Sequence, residues 1–284
     1  MTPLAARPLP AEPAGGARGA SLLLAGLPVA LELHGGEAPW ALFAPHLAPP
    51  PPRSGREPEL SLRLRVHPGP PPRFDHLVVE ARGDGFFCEG DGLRGEVGPD
   101  DATLDVYGGE PALLAALRLC VAVALAARGG LLLHGACAEV GGRALCFPGA
   151  SGAGKTTLSR RLALGGARPI SDEVTAVRGA AVFGHPFPRR LGDGCTPVRG
   201  LRLEGLGFLA HAAAGAGPAR RRLSPREAAR ALLDRVFLPV RTSSLLEPVL
   251  AAVSELAASV PAWALSLPDD ARAAACALTL AGGG

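Results

Sequence analysis

The sequence predicts an α/β protein in which a mainly β N-terminal half precedes a half that alternates strands and helices. In the first half, apolar and polar residues alternate over residues 60–66, the period-2 pattern of a strand with one solvated face. In the second half, an apolar strand at 144–147 leads through a glycine-rich loop into a helical stretch at 155–164. A long apolar run at 112–127 separates the halves and is predicted to be a buried helix.

The composition restricts the classes to which the chain can belong. Its 284 residues can bury a substantial core, and with 48% hydrophobic but only 4% aromatic residues, Ala, Leu and Val must build it. The net charge of +3 is too small and too dispersed to bind nucleic acid through electrostatics alone, so no nucleic-acid partner is expected. We therefore interpret Arg220-Arg221-Arg222 as a solvated loop.

Cysteine usage and the apolar segments predict a soluble, cytoplasmic protein. None of the six cysteines forms a C-x-x-C pair and several lie in apolar runs, which favours reduced, buried thiols over disulfides or a zinc site. Residues 1–20 lack the apolar segment of a secretory signal. Arg118 interrupts the run at 112–127, which is too short for a membrane span, so no membrane partner is expected.

The N-terminal half divides into a flexible leader, residues 1–20, and a β-rich domain, residues 21–128. Short apolar or alternating segments separated by Gly, Asp and Pro turns predict strands at 22–24, 29–33, 60–66, 77–80, 85–88 and 102–106. The proline runs at 49–52 and 70–72 are predicted loops. Pro111 suits the start of the helix that closes this domain, and Gly129-Gly130 suits its end.

The remaining residues, 129–284, are predicted to form one domain around the glycine-rich loop. Its strands are expected at 131–134, 136–140, 144–147, 169–177 and 263–267, and its helices at 155–164 and 245–259. A further helix is expected to begin at Ser224-Pro225-Arg226-Glu227, a capping box with proline at the first helical position. A last helix is expected from Asp269.

The glycine-rich loop carries the most specific motif of the chain, G-x-x-x-x-G-K-[ST]. It contains the chain's only lysine, Lys155, where a compact ammonium suits a tight backbone nest better than a planar guanidinium. Backbone N–H groups of such a loop hold phosphates, the lysine reaches the β- and γ-phosphates, and the hydroxyl of Thr156 is expected to bind Mg²⁺. The motif predicts a nucleoside triphosphate bound by residues Gly149, Ala150, Ser151, Gly152, Ala153, Gly154, Lys155, Thr156 and Thr157.

Two adjacent acids, Asp172 and Glu173, form the second candidate feature. We expect them at the end of the strand that follows the loop helix, which in a parallel βαβ unit lies beside the phosphate loop. A carboxylate there can hold Mg²⁺ or accept the proton of an attacking hydroxyl. Because neighbouring residues of a strand point to opposite faces, only one acid is expected to face the phosphates.

Two histidines leave their roles open at this point. His134 follows three leucines one strand upstream of the loop, and it is equally consistent with a buried structural imidazole and with a functional one. His185, followed by Arg189-Arg190, can begin a loop that brings a cation to the phosphate, or it can be a surface turn.

These motifs, in this order, resemble the C-terminal domain of HPr kinase/phosphorylase, and more closely the HPr-kinase-like proteins found beside biosynthetic clusters for modified peptides. The resemblance covers residues 130–190 well and rests on the segments 132–135, 147–157, 170–173 and 184–186. It implies a P-loop kinase core with a mixed sheet like that of ATP-dependent phosphoenolpyruvate carboxykinase. It also implies that His134 lies at the phosphate site, that Asp172 is the catalytic base, and that the loop hydroxyl and a further acid bind Mg²⁺.

The chain departs from the HPr kinases in three respects. They have two aspartates where this chain has Asp172-Glu173, their downstream glycine- and arginine-rich signature has no match here, and no motif of their regulatory domain occurs in the first half. A kinase of another hydroxyl acceptor therefore fits better than a bifunctional regulator of sugar transport. The related kinases form oligomers, so a homo-oligomer is an open expectation.

The absence of a second lysine excludes the guanine-binding N-K-x-D motif of GTPases and the strand lysine of eukaryotic-type protein kinases. No L-S-G-G-Q-like signature of ABC ATPases occurs either. The sequence thus predicts an ATP- and Mg²⁺-dependent kinase of a serine hydroxyl in a protein or peptide. Asp172, His134 and Lys155 are its predicted catalytic residues, and Thr156 and Glu173 are its predicted metal ligands.

Further alternatives and assignments stay open from the sequence. Arg189, Arg190 or Arg241 is expected to neutralise charge during transfer, without a basis for choosing among them. One alternative function is a small-molecule kinase of the shikimate or nucleoside type, which also places an acid on the strand after the loop helix. Another is a non-catalytic module in which ATP binding organises the N-terminal domain for a partner.

Overall fold

The computed structural model describes residues 16–35, 57–69, 78–183, 200–212, 216–239, 242–270 and 272–282. Within these ranges the chain is a mixed α/β protein with two mixed sheets and five α-helices. The predicted proline loops at 49–52 and 70–72 lie outside the described residues, as do Cys195 and residues 1–15 of the predicted leader.

Seven strands of the N-terminal half form the first sheet. They are β1 (Ala17–Leu24), β2 (Leu27–His34), β3 (Leu60–His67), β4 (Val78–Arg82), β5 (Gly85–Gly90), β6 (Leu93–Val97) and β7 (Asp101–Tyr107). Their order is β1-β2-β3-β7-β6-β5-β4, with β2, β3 and β7 parallel to one another and the other neighbours antiparallel. The predicted alternation in β3 is confirmed, since Leu60, Leu62, Leu64 and Val66 are buried.

Two features of this sheet differ from the predictions. Residues 17–20, assigned to the flexible leader, belong to β1, because their backbones pair with β2 from Ala17 opposite His34 onward and need no apolar pattern to do so. Strand β6 was not predicted because Gly95 interrupts its pattern. Gly95 has φ 150°, and a Cβ there would collide with the carbonyl oxygen of Thr103 on β7.

Eight strands form the second sheet, together with four helices around it. The strands are β8 (Gly130–Val140), β9 (Arg143–Pro148), β10 (Arg168–Ser171), β11 (Val174–Arg178), β12 (Ala181–Phe183), β13 (Leu201–His211), β14 (Ala219–Arg222) and β15 (Ala262–Leu267). The helices are α2 (Lys155–Leu164), α3 (Pro225–Leu233), α4 (Ser243–Ser259) and α5 (Arg272–Leu278), followed by a 3₁₀ turn (Thr279–Gly282). The first helix, α1 (Glu110–Ala127), precedes this sheet.

The directions of the central strands determine where the glycine-rich loop lies. Strands β9, β13 and β15 run parallel to one another, so their carboxyl ends lie at one edge of the sheet. Strand β8 is antiparallel to β9 on one side and to both β10 and β11 on the other. In a simple βαβ unit, the strand before the loop and the strand after α2 would be neighbours. Here β8 lies between them, so β9 and β10 do not pair.

Most predicted elements of this half are confirmed, four predictions are corrected, and two strands, β12 and β13, were not predicted. Helix α2 has the predicted bounds, and Ser224 and Glu227 form the reciprocal hydrogen bonds of a capping box at the start of α3. The predicted strand 169–177 is in fact two strands, β10 and β11. Conversely, the predicted strands 131–134 and 136–140 form a single strand, β8. The last helix begins at Arg272 rather than at Asp269. The predicted loop Arg220–Arg222 is the exposed edge strand β14, which the backbone of β15 recruits although its side chains carry no strand pattern.

Helix α1 packs against strands of both sheets and joins their cores. By length and composition alone it could cross a membrane, but 67% of it is buried inside the protein, as the sequence predicted for this run. One buried cluster includes Leu31 of β2, Leu117 of α1, Leu132 of β8 and Val253 of α4. The predicted domain boundary after residue 128 coincides with the passage from α1 to β8, but the hydrophobic core is continuous across it.

A second buried cluster holds helix α2 against the sheet. It includes Leu158 and Leu162 of α2, Leu209 of β13, Leu265 of β15 and Ala277 of α5. The loop before α2 is therefore anchored by packing at its helical end and by β9 at its strand end. The prediction of buried thiols is confirmed for four free cysteines, while a fifth is half-buried; the buried ones are Cys88, Cys120, Cys137 and Cys146, and the other is Cys276.

Candidate functional site

The glycine-rich loop connects the end of β9 directly to the start of α2. Gly152 and Gly154 have φ values of 79° and 88°, a left-handed conformation that favours glycine, and Gly154 is the N-cap of α2. Among the described residues no side chain caps this helix. The first N–H groups of α2 and the positive end of its dipole are thus available to an anion.

Lys155 is the first residue of α2 and folds back over the loop. Its side chain is largely buried, with the residue only 7% exposed. Its Nζ donates hydrogen bonds to the carbonyl oxygens of Gly149, at 2.9 Å, and Ala150, at 2.7 Å. Burial lowers the pKa of Lys155, an effect that the positive charge of Arg235 adds to and the negative charge of Glu173 opposes. Its hydrogen-bond partners here are neutral, so an anion entering the loop would supply the compensating charge.

Asp172 and Glu173 lie in the break between β10 and β11. A buried hydrogen-bond group forms this break: Ser171 Oγ lies 2.7 Å from Thr175 Oγ1, which donates to the carbonyl oxygen of Gly135 at 2.9 Å. The N–H of Gly135 in turn donates to the carbonyl oxygen of Glu173. The expectation that only one acid faces the loop is wrong, because the alternation of a strand does not apply within the break, and both acids line the same pocket.

The two acids have different surroundings. Asp172 is buried, with 6% of the residue exposed, whereas the side chain of Glu173 is 45% exposed. Glu173 forms a two-pronged ion pair with Arg118 of α1, in which Nη2 lies 3.0 Å from Oε2 and Nη1 lies 3.4 Å from Oε1. The predicted metal ligand is therefore held by a guanidinium in this structure.

His134 lies on β8, between the loop strand and the two acids. Its carbonyl oxygen accepts a hydrogen bond from the N–H of Gly149, and its own N–H donates to the carbonyl oxygen of Arg235 at 2.7 Å. Burial, and next the charge of Lys155, lower the pKa of the imidazole from its ordinary value of 6.5. A neutral imidazole can both donate and accept a hydrogen bond at neutral pH.

These residues meet in one pocket of about 330 Å³. Nine residues of the loop, β8 and the β10–β11 break line it: His134, Ser151, Gly152, Gly154, Lys155, Thr156, Thr157, Asp172 and Glu173. Of the remaining predicted loop residues, Gly149 and Ala150 bind the ammonium of Lys155, and Ala153 lies on the other side of the loop. His185, Arg189, Arg190 and Arg241 lie outside the described residues.

Sequence reasoning missed three residues beside this pocket. Arg118 was interpreted only as an interruption of an apolar run, although a charged residue inside a buried helix is itself a signal that an oppositely charged partner lies nearby. Arg235, just after α3, lies close enough for its charge to lower the pKa values of Lys155 and His134. His211, at the end of β13, has Nε2 2.7 Å from the carbonyl oxygen of Gly152 at the top of the loop.

The donor set around the pocket fits a magnesium ion that arrives with a nucleotide. Within the described part of the chain no group of three or more His, Cys, Asp or Glu side chains could hold a metal by itself. Mg²⁺ is usually held by one or two protein oxygens together with substrate phosphates and water. Thr156 and Asp172 line the pocket with such oxygens, and Glu173 would join them on exchanging its guanidinium partner for the metal.

Comparison with known proteins gives no family assignment for this chain. No protein-family model matches it, and neither does any curated protein. The resemblance to HPr kinases therefore stays a prediction that rests on the motifs quoted above.

Proposed function

We propose that this protein is an ATP-dependent phosphotransferase of the HPr-kinase-like type that phosphorylates a serine hydroxyl of a protein or peptide. The observation that carries the proposal is one shared pocket, in which the loop residues Lys155 and Thr156 face the buried Asp172. A phosphate-binding loop alone is found in many nucleotide-binding proteins. A buried carboxylate in the same pocket adds the group that a hydroxyl acceptor requires.

The triphosphate would bind where the loop amides and the start of α2 converge. Lys155 would move its hydrogen bonds from the carbonyl oxygens of Gly149 and Ala150 to the β- and γ-phosphate oxygens, which restores charge balance to a buried ammonium. The hydroxyl of Thr156 would hold Mg²⁺. When bound, this ion neutralises the charge of the phosphates during transfer.

Asp172 would orient the acceptor hydroxyl and take up its proton. The hydroxyl oxygen forms the new bond to the γ-phosphorus, the bond from that phosphorus to the β,γ-bridging oxygen breaks, and ADP leaves. His134, kept neutral by burial and by Lys155, would hydrogen-bond a γ-phosphate oxygen without repelling the lysine. Arg235, and Arg118 once Glu173 has exchanged it for the metal, would add positive charge beside the pocket, in the role that the sequence assigned to arginines outside the described residues.

The ion pair between Arg118 and Glu173 favours a second candidate function, a nucleotide-responsive module. Arg118 belongs to α1, which also packs on the first sheet, so a ligand that displaces Glu173 from Arg118 acts on an element shared by both sheets. A module of this kind would bind ATP tightly and transfer its phosphate slowly or not at all. Retained ATP binding without transfer, in wild type and Asp172→Asn alike, would favour the module over the kinase.

The test is transfer of labelled γ-phosphate from ATP to proteins and peptides encoded beside the gene. We expect Lys155→Ala and Asp172→Asn to reduce transfer by on the order of a hundredfold or more, as loss of a phosphate ligand or a general base does. Asp84→Asn, the same change at an exposed turn of the first sheet, is the matched control and should transfer as wild type does. Wild-type rates in Asp172→Asn would refute the assignment of that residue.

A further inference from the structure

The three consecutive arginines of β14 form an exposed edge of the second sheet. Strand β14 stands last in the strand order of that sheet and pairs with β15. All four of its residues are exposed to solvent. Among the described residues no further strand lies along its outer side, so this edge is open to a strand from another molecule.

The pairing with β15 determines which backbone groups face outward. The N–H of Leu223 donates to the carbonyl oxygen of Ala262, which continues the antiparallel register of the two strands. Successive residues of an antiparallel strand direct their N–H and C=O groups to alternate sides. Arg221 therefore bonds toward β15, whereas Arg220 and Arg222 direct their backbone groups outward. A strand added antiparallel at this edge would pair with Arg220 and Arg222.

The side chains of the same two residues lie on one face of the strand. The guanidinium of Arg222 lies over the ring of Trp263, 4.6 Å from its centre, and Nη1 of Arg220 donates to Oγ1 of Thr279 at 2.6 Å. Within the part of the chain that the structure describes, neither guanidinium forms an ion pair with a carboxylate. Two oriented positive charges, about 7 Å apart along the strand, are thus left without a counter-charge.

The opposite face of β14 already has its counter-charge. Nη1 of Arg221 lies 2.9 Å from Oε1 of Glu227. Hydrogen bonds from Ser224, and next from Arg221, lower the pKa of Glu227 to about 2, so this carboxylate stays charged. The same Nη1 lies 3.5 Å from the carbonyl oxygen of Arg222, a long contact that leaves this acceptor open to a better donor. An added strand therefore needs acids on one face only.

The positive charge of the chain is concentrated beside this edge. Residues 219–235 contain six arginines and two acids, a net charge of +4, whereas the whole chain carries +3. The remainder of the chain therefore has a net charge of −1, and its attraction for an acidic partner is strongest here. A second copy of β14 would place arginine opposite arginine, which is destabilising. The edge thus favours an acidic strand over a second copy of itself.

We propose that β14 binds an extended acidic segment of a partner protein, added as an antiparallel strand in which acidic and neutral side chains alternate. Carboxylates at positions i and i+2 of that segment would lie opposite Arg222 and Arg220 and supply their counter-charges. The added strand would lie four strand spacings from β9, about 19 Å, so the partner leaves the phosphate pocket open. Binding of this kind requires neither ATP nor phosphate transfer, so it goes beyond the proposed function.

The test measures the binding of fluorescein-labelled peptides to the full chain by fluorescence anisotropy, without nucleotide. Two peptides of the same composition serve as probes. Thr-Glu-Thr-Glu-Thr-Glu-Thr has acids at alternate positions, whereas Thr-Glu-Glu-Thr-Thr-Glu-Thr has no two acids at that spacing. We expect the alternating peptide to bind roughly fivefold more tightly, as two cross-strand ion pairs allow. Equal affinities, or no binding of either peptide, would overturn the proposal.

Two double variants locate the binding. Arg220→Gln/Arg222→Gln should remove the preference for the alternating peptide, because it removes the two unpaired guanidinium groups. Arg226→Gln/Arg230→Gln removes two exposed arginines from α3 and changes the net charge by the same amount, and it should keep the preference. An equal loss in both variants would show a diffuse attraction to positive charge and would refute the assignment to β14.

A measurement on the wild-type chain decides the case if the first variant does not fold. N-methylation of the glutamates in the alternating peptide removes the N–H groups that would bond β14 and should weaken binding on the order of tenfold, whereas N-methylation of its inner threonines should not. Equal effects of the two modifications would exclude strand addition. A single-stranded oligonucleotide of equal charge that binds more tightly than the alternating peptide, and loses its binding in Arg220→Gln/Arg222→Gln, would assign the edge to nucleic acid and overturn the proposal.

Discussion

The ion pair between Arg118 and Glu173 predicts that Arg118→Leu weakens the binding of metal-free ATP. The pair places one positive and one negative charge at the rim of the phosphate pocket, where they largely cancel. Leucine keeps the apolar packing of α1 but leaves the carboxylate of Glu173 without its guanidinium partner. The phosphates of ATP then meet a net negative charge that the wild-type chain does not present.

The expected size of this effect follows from the exposure of the two side chains. Arg118 is 27% and Glu173 45% exposed, so water screens their charges, and an interaction of about 1 kcal/mol with a phosphate is reasonable. That corresponds to roughly fivefold weaker binding of ATP. For the same reason the ion pair adds only about 0.2 to 1 kcal/mol to stability, and the melting temperature should fall by at most ~4 °C.

Calorimetric titration with ATP in the presence of a chelator measures the predicted change. The double variant Arg118→Leu/Glu173→Gln should regain wild-type affinity, because it removes both charges and leaves the pocket rim neutral. An affinity in Arg118→Leu equal to that of wild type would show that the pair does not influence the phosphates. A loss that the double variant fails to repair would show that Arg118 itself binds the nucleotide.

Two further predictions concern the buried groups around the loop. Because burial lowers the pKa of His134 below its ordinary value of 6.5, protonation favours the unfolded chain, and this contribution to stability is lost as the pH falls below about 6.5. Thermal melts at pH 7.5 and 5.5 should therefore differ less for His134→Gln than for wild type, and an equal difference in both would contradict the reasoning. On α2, Leu162→Ala removes a side chain of a residue that is 1% exposed and should lower the free energy of unfolding by about 2 to 5 kcal/mol in denaturant titrations. Leu164→Ala, at 90% exposure on the same helix, should change it by less than about 0.5 kcal/mol, and similar losses in both would contradict the burial of α2.

The strand, loop and helix around Lys155 could be predicted because their signals are local. The apolar strand, the glycines and the helical period are contiguous in sequence, and α2 begins and ends where they predict. The same holds for the capping box of α3, whose two partners are three residues apart. Elements that depend on a distant strand, such as β6 and β14, were missed or misassigned, because neighbouring backbones rather than their own residues make them strands.

The geometry of the two acids could not be predicted, because it depends on residues far apart in the chain. At the break between β10 and β11, Thr175 bonds the carbonyl oxygen of Gly135, forty residues earlier. The partner of Glu173 is Arg118, fifty-five residues earlier and on a helix assigned to the other half. Periodicity describes only the local chain, so it placed both acids on a continuous strand and gave no sign of the guanidinium beside Glu173.

The position of His134 follows from the inserted strand rather than from any motif. Strands β9 and β10 lie on opposite sides of β8. The loop and the acids can therefore meet only across the β8 residues next to the end of β9. His134 is paired there with Val174, next to the acids, and its carbonyl oxygen accepts from the first residue of the loop. The backbone of His134 therefore has one role, supporting the loop, and its imidazole has another, lining the pocket. Substitution by Gln keeps the first role and tests the second.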